Sequence, residues 1–191
     1  MIDEIISKID EIKKEKIIIA IDGDCGSGKT TLSKKIQEKY NCNIIHMDDF
    51  FLQPHQRTPE RLAEPGGNID HERFLKDILT PLEQNISFSY QPFNCQTMDF
   101  DQPIKIEPKK ITIIEGSYSH HPKFSSHIYD LKIFLSIDEK NQLDRILKRN
   151  GIPMYDKFKD IWIPMEKKYQ ETFNIIEKCD LLFSTLSDKS K

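Results

Sequence analysis

The stretch KIIIAIDGDCGSGKT (Lys16 to Thr30) decides the fold. Its first half, KIIIAID (16–22), is a continuous β-branched run, the pattern of a strand covered on both faces. Its second half, GDCGSGKT (Gly23 to Thr30), satisfies G-x-x-x-x-G-K-[ST], and helical periodicity follows over residues 30–40. Strand, glycine-rich turn and helix in that order build a phosphate cradle. Gly23, Gly26 and Gly28 let the backbone bend so that successive N–H groups converge on an anion, with Asp24, Cys25 and Ser27 filling the turn. The helix beginning near Lys29 adds its positive N-terminal end. Lys29 can reach the β- and γ-phosphates, and the Thr30 hydroxyl can join the coordination of Mg²⁺. With Thr31, the segment is the candidate ATP-binding site, and ATP and Mg²⁺ are the expected cofactors. Cys25 reads as a small residue that fits the turn.

Working outward, Ile2, Ile5, Ile6, Ile9 and Ile12 recur at helical spacing and predict an amphipathic helix over 2–14. NIIHM (43–47) reads as a second strand that ends in Asp48 and Asp49. Periodicity then disappears from Phe50 to Asn68, where LQPHQRTPERLAEPGGN holds three prolines and two glycines; a loop of that length is functional or disordered. Residues 69–82 are helical with Asp70 as candidate N-cap. SFSYQPF and PIKIEP, within 86–108, predict short strands punctuated by proline. KKITIIEG (109–116) and DLKIFLSI (130–137) are buried strands, a charged helix over 139–150 breaks at NGIPMYDKF, a helix over roughly 160–178 follows, and DLLFST ends the series. Strands alternating with helices predict an α/β fold of the P-loop NTPase type, three layers around a parallel five-stranded sheet. One domain over 1–191 is expected, with an irregular flap at 86–108 and a lid at about 145–160.

The totals narrow the class. Of 191 residues, 37% are hydrophobic and 31% charged, and the net charge of −3 has both signs interspersed. No basic field points to nucleic acid or an anionic membrane. The acidic residues early in MIDEIISKIDEIKKEK and the lack of a long apolar run speak against a signal peptide or membrane span. Cys25, Cys42, Cys95 and Cys179 lie far apart with no C-x-x-C pair, as expected of reduced thiols in a cytoplasmic protein. No N-K-x-D stretch reads guanine, and the length does not suit a motor ATPase. A small-molecule kinase fits, its partner a small-molecule phosphoryl acceptor; oligomeric state is not legible.

Two strand ends supply carboxylates, IIHMDD and ITIIEG. A kinase needs an acid near its metal and a base within hydrogen-bond reach of the acceptor hydroxyl. IAIDGDCGSGKTTL, HMDDFF, GGNIDHERF, IIEGSY and LDRILKRN follow, in order, motifs of the uridine kinase-like branch of P-loop kinases, which the chain resembles from about residue 16 to 183. That branch includes phosphoribulokinase, bacterial pantothenate kinase and nicotinamide riboside kinase. The resemblance implies that Asp48 is the catalytic base and shares the metal's waters, that Asp70 holds ribose hydroxyls, and that Glu115 sits beside the magnesium. It also implies that Arg145 and Arg149, four apart on one helix face, bring positive charge to the transferring phosphoryl. Asp49, the next residue along a strand, points elsewhere, as a loop cap or a substrate contact.

The acceptor pocket departs from the family. Uridine kinases carry a Y-D-F…H-S-R stretch, where this chain has YQPFNCQTMDF, so Phe93 and Asn94 take the tyrosine and aspartate positions. Phe93 and Tyr90 either stack on a planar ring or belong to the core. Arg57 and Arg61 bind an anionic acceptor or dress the surface, and Glu166 and Tyr169 share one side of a late helix, in the site or in ordinary packing. His46 reads as a core histidine, and His120 and His121 as loop residues. Uridine is the leading acceptor by resemblance, with nicotinamide riboside next because that kinase group also shows D-D-F-F; pantothenate or a sugar phosphate follows. A nucleotide-dependent switch that phosphorylates nothing is the other class.

Overall fold

Seven consecutive buried residues, Ile17–Gly23, form the central strand β1 of the computed structural model, which describes residues 1–124 and 128–185. The chain runs through α1 (Ile2–Glu11), β1, α2 (Lys29–Lys39), β2 (Cys42–His46), α3 (Pro59–Ala63), α4 (His71–Phe74) and α5 (Thr80–Gln84). The flap strands β3 (Phe88–Tyr90), β4 (Phe93–Asn94), β5 (Asp99–Phe100) and β6 (Ile104–Ile106) follow, then β7 (Ile111–Glu115) and β8 (Leu131–Ser136). The helical stretch α6 (Glu139–Asn150), α7 (Ile152–Lys157) and α8 (Ile163–Phe173) leads to β9 (Leu181–Ser184). The main sheet has five strands in the order β2-β7-β1-β8-β9, all parallel. The expected extent to residue 191 runs into 186–191, outside the described residues.

Alternation along the strands divides the apolar side chains between two faces. Ile17, Ile19, Ile21, Ile111, Ile113, Ile133 and Leu135 pack with Ile5 and Ile9 of α1 and Leu32 and Ile36 of α2. Ile18, Ile45, Ile114 and Phe134 pack on the other face with Phe50, Phe74, Ile78 and Tyr169. Each such fully buried side chain is worth ~2 kcal/mol. The β-branched run is therefore continuous in sequence because both faces are covered, as a parallel sheet requires.

Three stretches differ from expectation. The loop over 50–68 is ordered, with a 3₁₀ turn at Pro54–Gln56 and the short α3. Arg61 explains it: its guanidinium donates to the Gly67 and Ile69 carbonyls and to Glu72, so backbone acceptors without a ladder partner are satisfied. The flap has the short strands expected, in two antiparallel pairs, β3 with β6 and β4 with β5. The helix expected from 160 begins at Ile152, because Gly151 (φ 74°) turns the chain and the helix resumes at once. It continues through a π turn at Phe158–Trp162 into α8 and stops before 178, since Asn174 (φ 50°) takes the left-handed conformation that terminates helices. At the N-terminus, Ile12 is already extended, so α1 stops at Glu11 rather than 14.

His71 and His121, one from α4 and one from the turn after β7, stack with ring centroids 4.1 Å apart, and both are almost fully buried. Phe124, Tyr169 and Phe173 enclose them. Burial disfavours the imidazolium and takes His71 down to about 3 and His121 to about 4. As pH falls through 6.5, the unfolded chain binds protons that the native state refuses. Stability present above that pH is therefore lost toward pH 4 and 3, by on the order of 1 kcal/mol per histidine per pH unit. Through this pair, urea midpoints are expected to fall between pH 6.5 and 5. A His121→Gln variant is expected to show a shallower acid limb, and an unchanged slope would remove the pair as its cause.

Candidate active site

The cradle begins where Gly23 leaves β1. A Cβ there would lie 2.1 Å from the Leu135 carbonyl oxygen of β8, so only glycine passes, at φ 145°. The next amide, Asp24 N–H, donates to that same carbonyl at 3.0 Å and seats the loop on the sheet. At Gly28 (φ 100°) a Cβ would meet nothing within 4 Å, so the turn is open where α2 starts. Lys29 is buried and folds back over the loop. Its Nζ donates to Gly23 O at 2.7 Å, Asp24 O at 2.9 Å and Ser117 Oγ at 3.2 Å. Among the described residues the buried Ser27 hydroxyl has no hydrogen-bond partner, which leaves it available to a ligand. Thr31 is exposed on the first turn of α2.

The parallel register places the acidic strand end beside this turn, with Glu115 opposite Ile21 of β1 and His46 of β2. Thr30 Oγ1 donates to Glu115 Oε1 at 3.0 Å, and His46 Nδ1 lies 2.5 Å from the same oxygen. His46 is thus not a core histidine: it is half-buried at the sheet edge, and its bond to Glu115 raises its pKa. A hydroxyl and a carboxylate in contact at a helix N-terminus are hard oxygen donors that fit Mg²⁺.

Asp48 and Asp49 lie on a 3₁₀ turn, Met47–Phe50, not on the strand. Asp48 is solvent-accessible but closely surrounded, and desolvation holds its carboxyl above the ordinary range; Lys29 opposes this most, Glu115 reinforces it, and Arg149 contributes a smaller opposing effect. Asp48 therefore stands within electrostatic reach of Lys29, Glu115, His46 and Arg149. Arg149 Nε donates to Asn150 Oδ1, and its guanidinium lies 5.8 Å from the Phe158 ring centroid. Arg145 Nη1 donates to Gly26 O at 3.0 Å, which docks α6 on the cradle.

On the acceptor side the polar groups largely satisfy one another. Asp49 Oδ2 accepts from Tyr90 OH at 2.9 Å, and its backbone carbonyl accepts from Arg73. Asp70 caps α4 by accepting from Arg73 N–H at 3.0 Å, while Gln56 Nε2 donates to its other oxygen at 2.9 Å. Arg57 Nε donates to Leu52 O, and its Nη2 lies 3.6 Å from Cys95 Sγ at the flap turn. Arg61 is committed to the loop rather than to an anion. Phe93 is buried against Phe100 at 5.6 Å, and Tyr90 stacks on Phe50, so both aromatics belong to the packing. Asn94 spends its oxygen on Gln96 N–H and Thr97 N–H and its amide on Asp101, which makes it the turn-former of its hairpin.

Other residues expected at the site stand behind the cradle. Asp24 accepts from Ile137 N–H and Gln170 Nε2, away from the open side. Cys25 is buried, and burial pushes its thiol well up; Gln142 donates to its carbonyl and sulfur. Glu166 lies against the P-loop, where its carboxylate accepts from Cys25 N–H and Ser117, not among the acceptor residues with Asp70. Sequence reasoning missed Asp22, whose carboxylate accepts from Gly23 N–H, Tyr118 N–H, His120 N–H and Tyr169 OH. Its signal was an acid ending an apolar run, but its partners come from distant segments. His120 and His121 are wedges under the turn after β7, since His121 Nε2 faces Pro65 O and His120 Nε2 faces Ala20 O.

A parallel sheet, a P-loop on its central strand, Glu115 at the end of β7 and Asp48 on the turn after β2 define a P-loop kinase. The KAP family P-loop domain matches residues 1–180, and the chain belongs to that family. It is a uridine kinase-like P-loop kinase, a phosphotransferase. A uridine kinase from Anoxybacillus flavithermus is 28% identical over 150 residues, spanning 73% of this chain and 69% of the relative. One from Latilactobacillus sakei is 27% identical over 173 residues, spanning 85% and 80%. A possible uridine kinase from Bacillus stearothermophilus superposes with TM-score 0.71 over 95% of this chain and 96% of that one, at 20% identity, which shows the shared fold. Among the described residues no helix is long and apolar enough to cross a membrane.

The flap assignment has its own test. Asn94→Ala is expected to cost about 1 kcal/mol of stability and to speed amide exchange at Gln96 and Thr97, with Mg·ATP affinity unchanged. Calorimetry and hydrogen exchange measure both; unchanged exchange at those amides would contradict the turn-forming role.

Proposed function

We propose that this chain transfers the γ-phosphoryl of ATP to a hydroxyl of a nucleoside or similarly sized small molecule, with uridine the leading candidate. The observation that carries the proposal is the contact of Thr30 Oγ1 with Glu115 at 3.0 Å, beside a lysine-bearing P-loop and within electrostatic reach of Asp48. Kinship supports the acceptor class, since the two curated relatives above are uridine kinases. A phosphoribulokinase from Synechocystis, 22% identical over 149 residues and spanning 76% of this chain but 45% of that enzyme, belongs to the same set.

The roles follow from charge and reach. The amides from Gly26 to Thr30 and the Lys29 ammonium bind the phosphates, drawing on the N-terminal dipole of α2. Thr30 and Glu115 would hold Mg²⁺, which would neutralise charge on the phosphates. Asp48 takes the proton of the attacking hydroxyl. Its pKa, raised above that of an exposed carboxylate, makes it a stronger base. Arg149, whose charge is felt at Asp48, balances charge on the transferring group from the lid side. Asp49, Asp70, Gln56 and Arg57 form the acceptor wall, where a substrate hydroxyl exchanges with an internal hydrogen bond. Because those polar groups already have partners, selectivity rests on which acceptor replaces them without leaving one unpaired.

ADP production from Mg·ATP, measured with uridine, cytidine, nicotinamide riboside, pantothenate or ribulose 5-phosphate, tests the proposal. One compound is expected to stimulate turnover. Asp48→Asn is expected to lower that turnover by ~10²–10⁴-fold with ATP affinity retained, whereas Lys29→Ala loses ATP binding as well. Stimulation that survives in Asp48→Asn would remove the aspartate as base, and ATP binding with no stimulation by any acceptor would favour a nucleotide-dependent switch.

A further inference from the structure

Glu166 is a buried acid to which the reaction above assigns no task. It projects from the first turn of α8 and is 7% exposed. Its two oxygens serve two segments: Oε2 accepts from Cys25 N–H in the P-loop at 2.9 Å, and Oε1 accepts from the Ser117 hydroxyl at 2.7 Å. Burial raises the Glu166 pKa, but Lys29 and two donors on two oxygens oppose this and suit a carboxylate, whereas a protonated acid would bring a hydrogen of its own into the same space.

Ser117 stands two residues beyond Glu115, and its oxygen is also 3.2 Å from Gly23 O and 3.2 Å from Lys29 Nζ. A hydroxyl has one proton to give, and the shortest contact, to Glu166, takes it. The lone pairs of Ser117 then face the ammonium. Lys29 has three hydrogens, and Gly23 O, Asp24 O and Ser117 Oγ use all three. For a phosphate oxygen to be bound by Lys29, one of these contacts must exchange. The Ser117 contact, at 3.2 Å, is the one of the three made to a side chain rather than to the loop's own backbone, so it is the one that another residue can adjust.

We propose that Glu166 is a positioning residue for the phosphoryl donor: through Ser117 it aims the Lys29 ammonium, and through Cys25 N–H it holds the outer turn of the P-loop. The helix that continues from the lid thereby sets the alignment of the phosphate-binding lysine. Tyr169 and Gln170, from the next turn of α8, strengthen the link by bonding Asp22 and Asp24 on either side of Gly23. The inference rests on the reading that this P-loop binds a nucleoside triphosphate.

Removing the Glu166 charge leaves Lys29 less offset, so ground-state attraction for ATP is retained while alignment is lost. In Glu166→Gln and in Ser117→Ala, kcat is expected to fall at least ~10-fold. KM for ATP and the thermal midpoint should stay close to wild type. Ser117→Thr, which keeps the hydroxyl, is expected to restore most of kcat. The double variant Glu166→Gln/Ser117→Ala should be no worse than the poorer single, because both act through one chain of contacts. Turnover is measured as ADP release from Mg·ATP with the acceptor that stimulates best. An unchanged kcat in both singles, losses that add in the double, or a kcat loss matched by a fall in thermal midpoint would overturn the proposal. A wild-type protein that binds no Mg·ATP by calorimetry would overturn the nucleotide reading itself, and this inference with it.

Discussion

The Asp22 carboxylate is the interaction on which the rest of the active end depends. It is 1% exposed at the end of β1, where an unpaired charge would be costly, and four donors from three separate segments converge on it. Gly23 N–H comes from the P-loop, Tyr118 and His120 N–H from the turn after β7, and Tyr169 OH from α8. Removing a partner would leave a buried charge short of its hydrogen bonds, so the three segments hold together as one unit. That unit brings the cradle, the Glu115–Ser117 segment and α8 to the same edge of the sheet.

Sheet order explains why the proposed catalytic groups meet there. β1 lies between β7 and β8, so a loop leaving it faces Glu115 on one side and the Leu135 carbonyl on the other. Chains that cross over parallel strands collect their functional side chains at the C-terminal edge, where helix N-termini and strand ends converge. Glu115 is the pivot of that edge, because a single one of its oxygens meets both Thr30 and His46. A protein with the same P-loop but a different strand order would put another residue beside Thr30.

The acceptor side follows a different logic. Its polar groups are mutually satisfied through Gln56 with Asp70, Tyr90 with Asp49 and Arg57 with Leu52, and its aromatics are packed into the flap. The donor side is shaped by backbone geometry that tolerates little variation, whereas the acceptor side is shaped by side-chain hydrogen bonds that can be re-formed with different neighbours. The contrast accounts for a clear phosphate motif beside an acceptor region with no equally sharp signature.

The fold was legible in the sequence because its determinants are local. A β-branched run, three glycines at set positions and a following helical period leave few alternatives, and the five strands and the flap lie where those patterns place them. Lys29, Thr30, Asp48 and Glu115 could be placed for the same reason, since each sits at the end of a readable element. What required the tertiary structure was pairing. Nothing local distinguishes Asp22 from any acid closing a strand, or His46 from a core histidine, until β7 sets Glu115 against it. Glu166 and Asn94 looked like acceptor contacts, yet the first belongs to the P-loop across 141 residues and the second to its own hairpin. The continuous helix past Gly151 and the order in the 50–68 loop were hidden likewise, because contacts such as those of Arg61 override local propensity. Local chemistry determined which elements form and where phosphates would bind. Which buried polar groups neutralise one another was decided only by the packing, since a hydrogen bond between distant segments leaves no periodic trace in either.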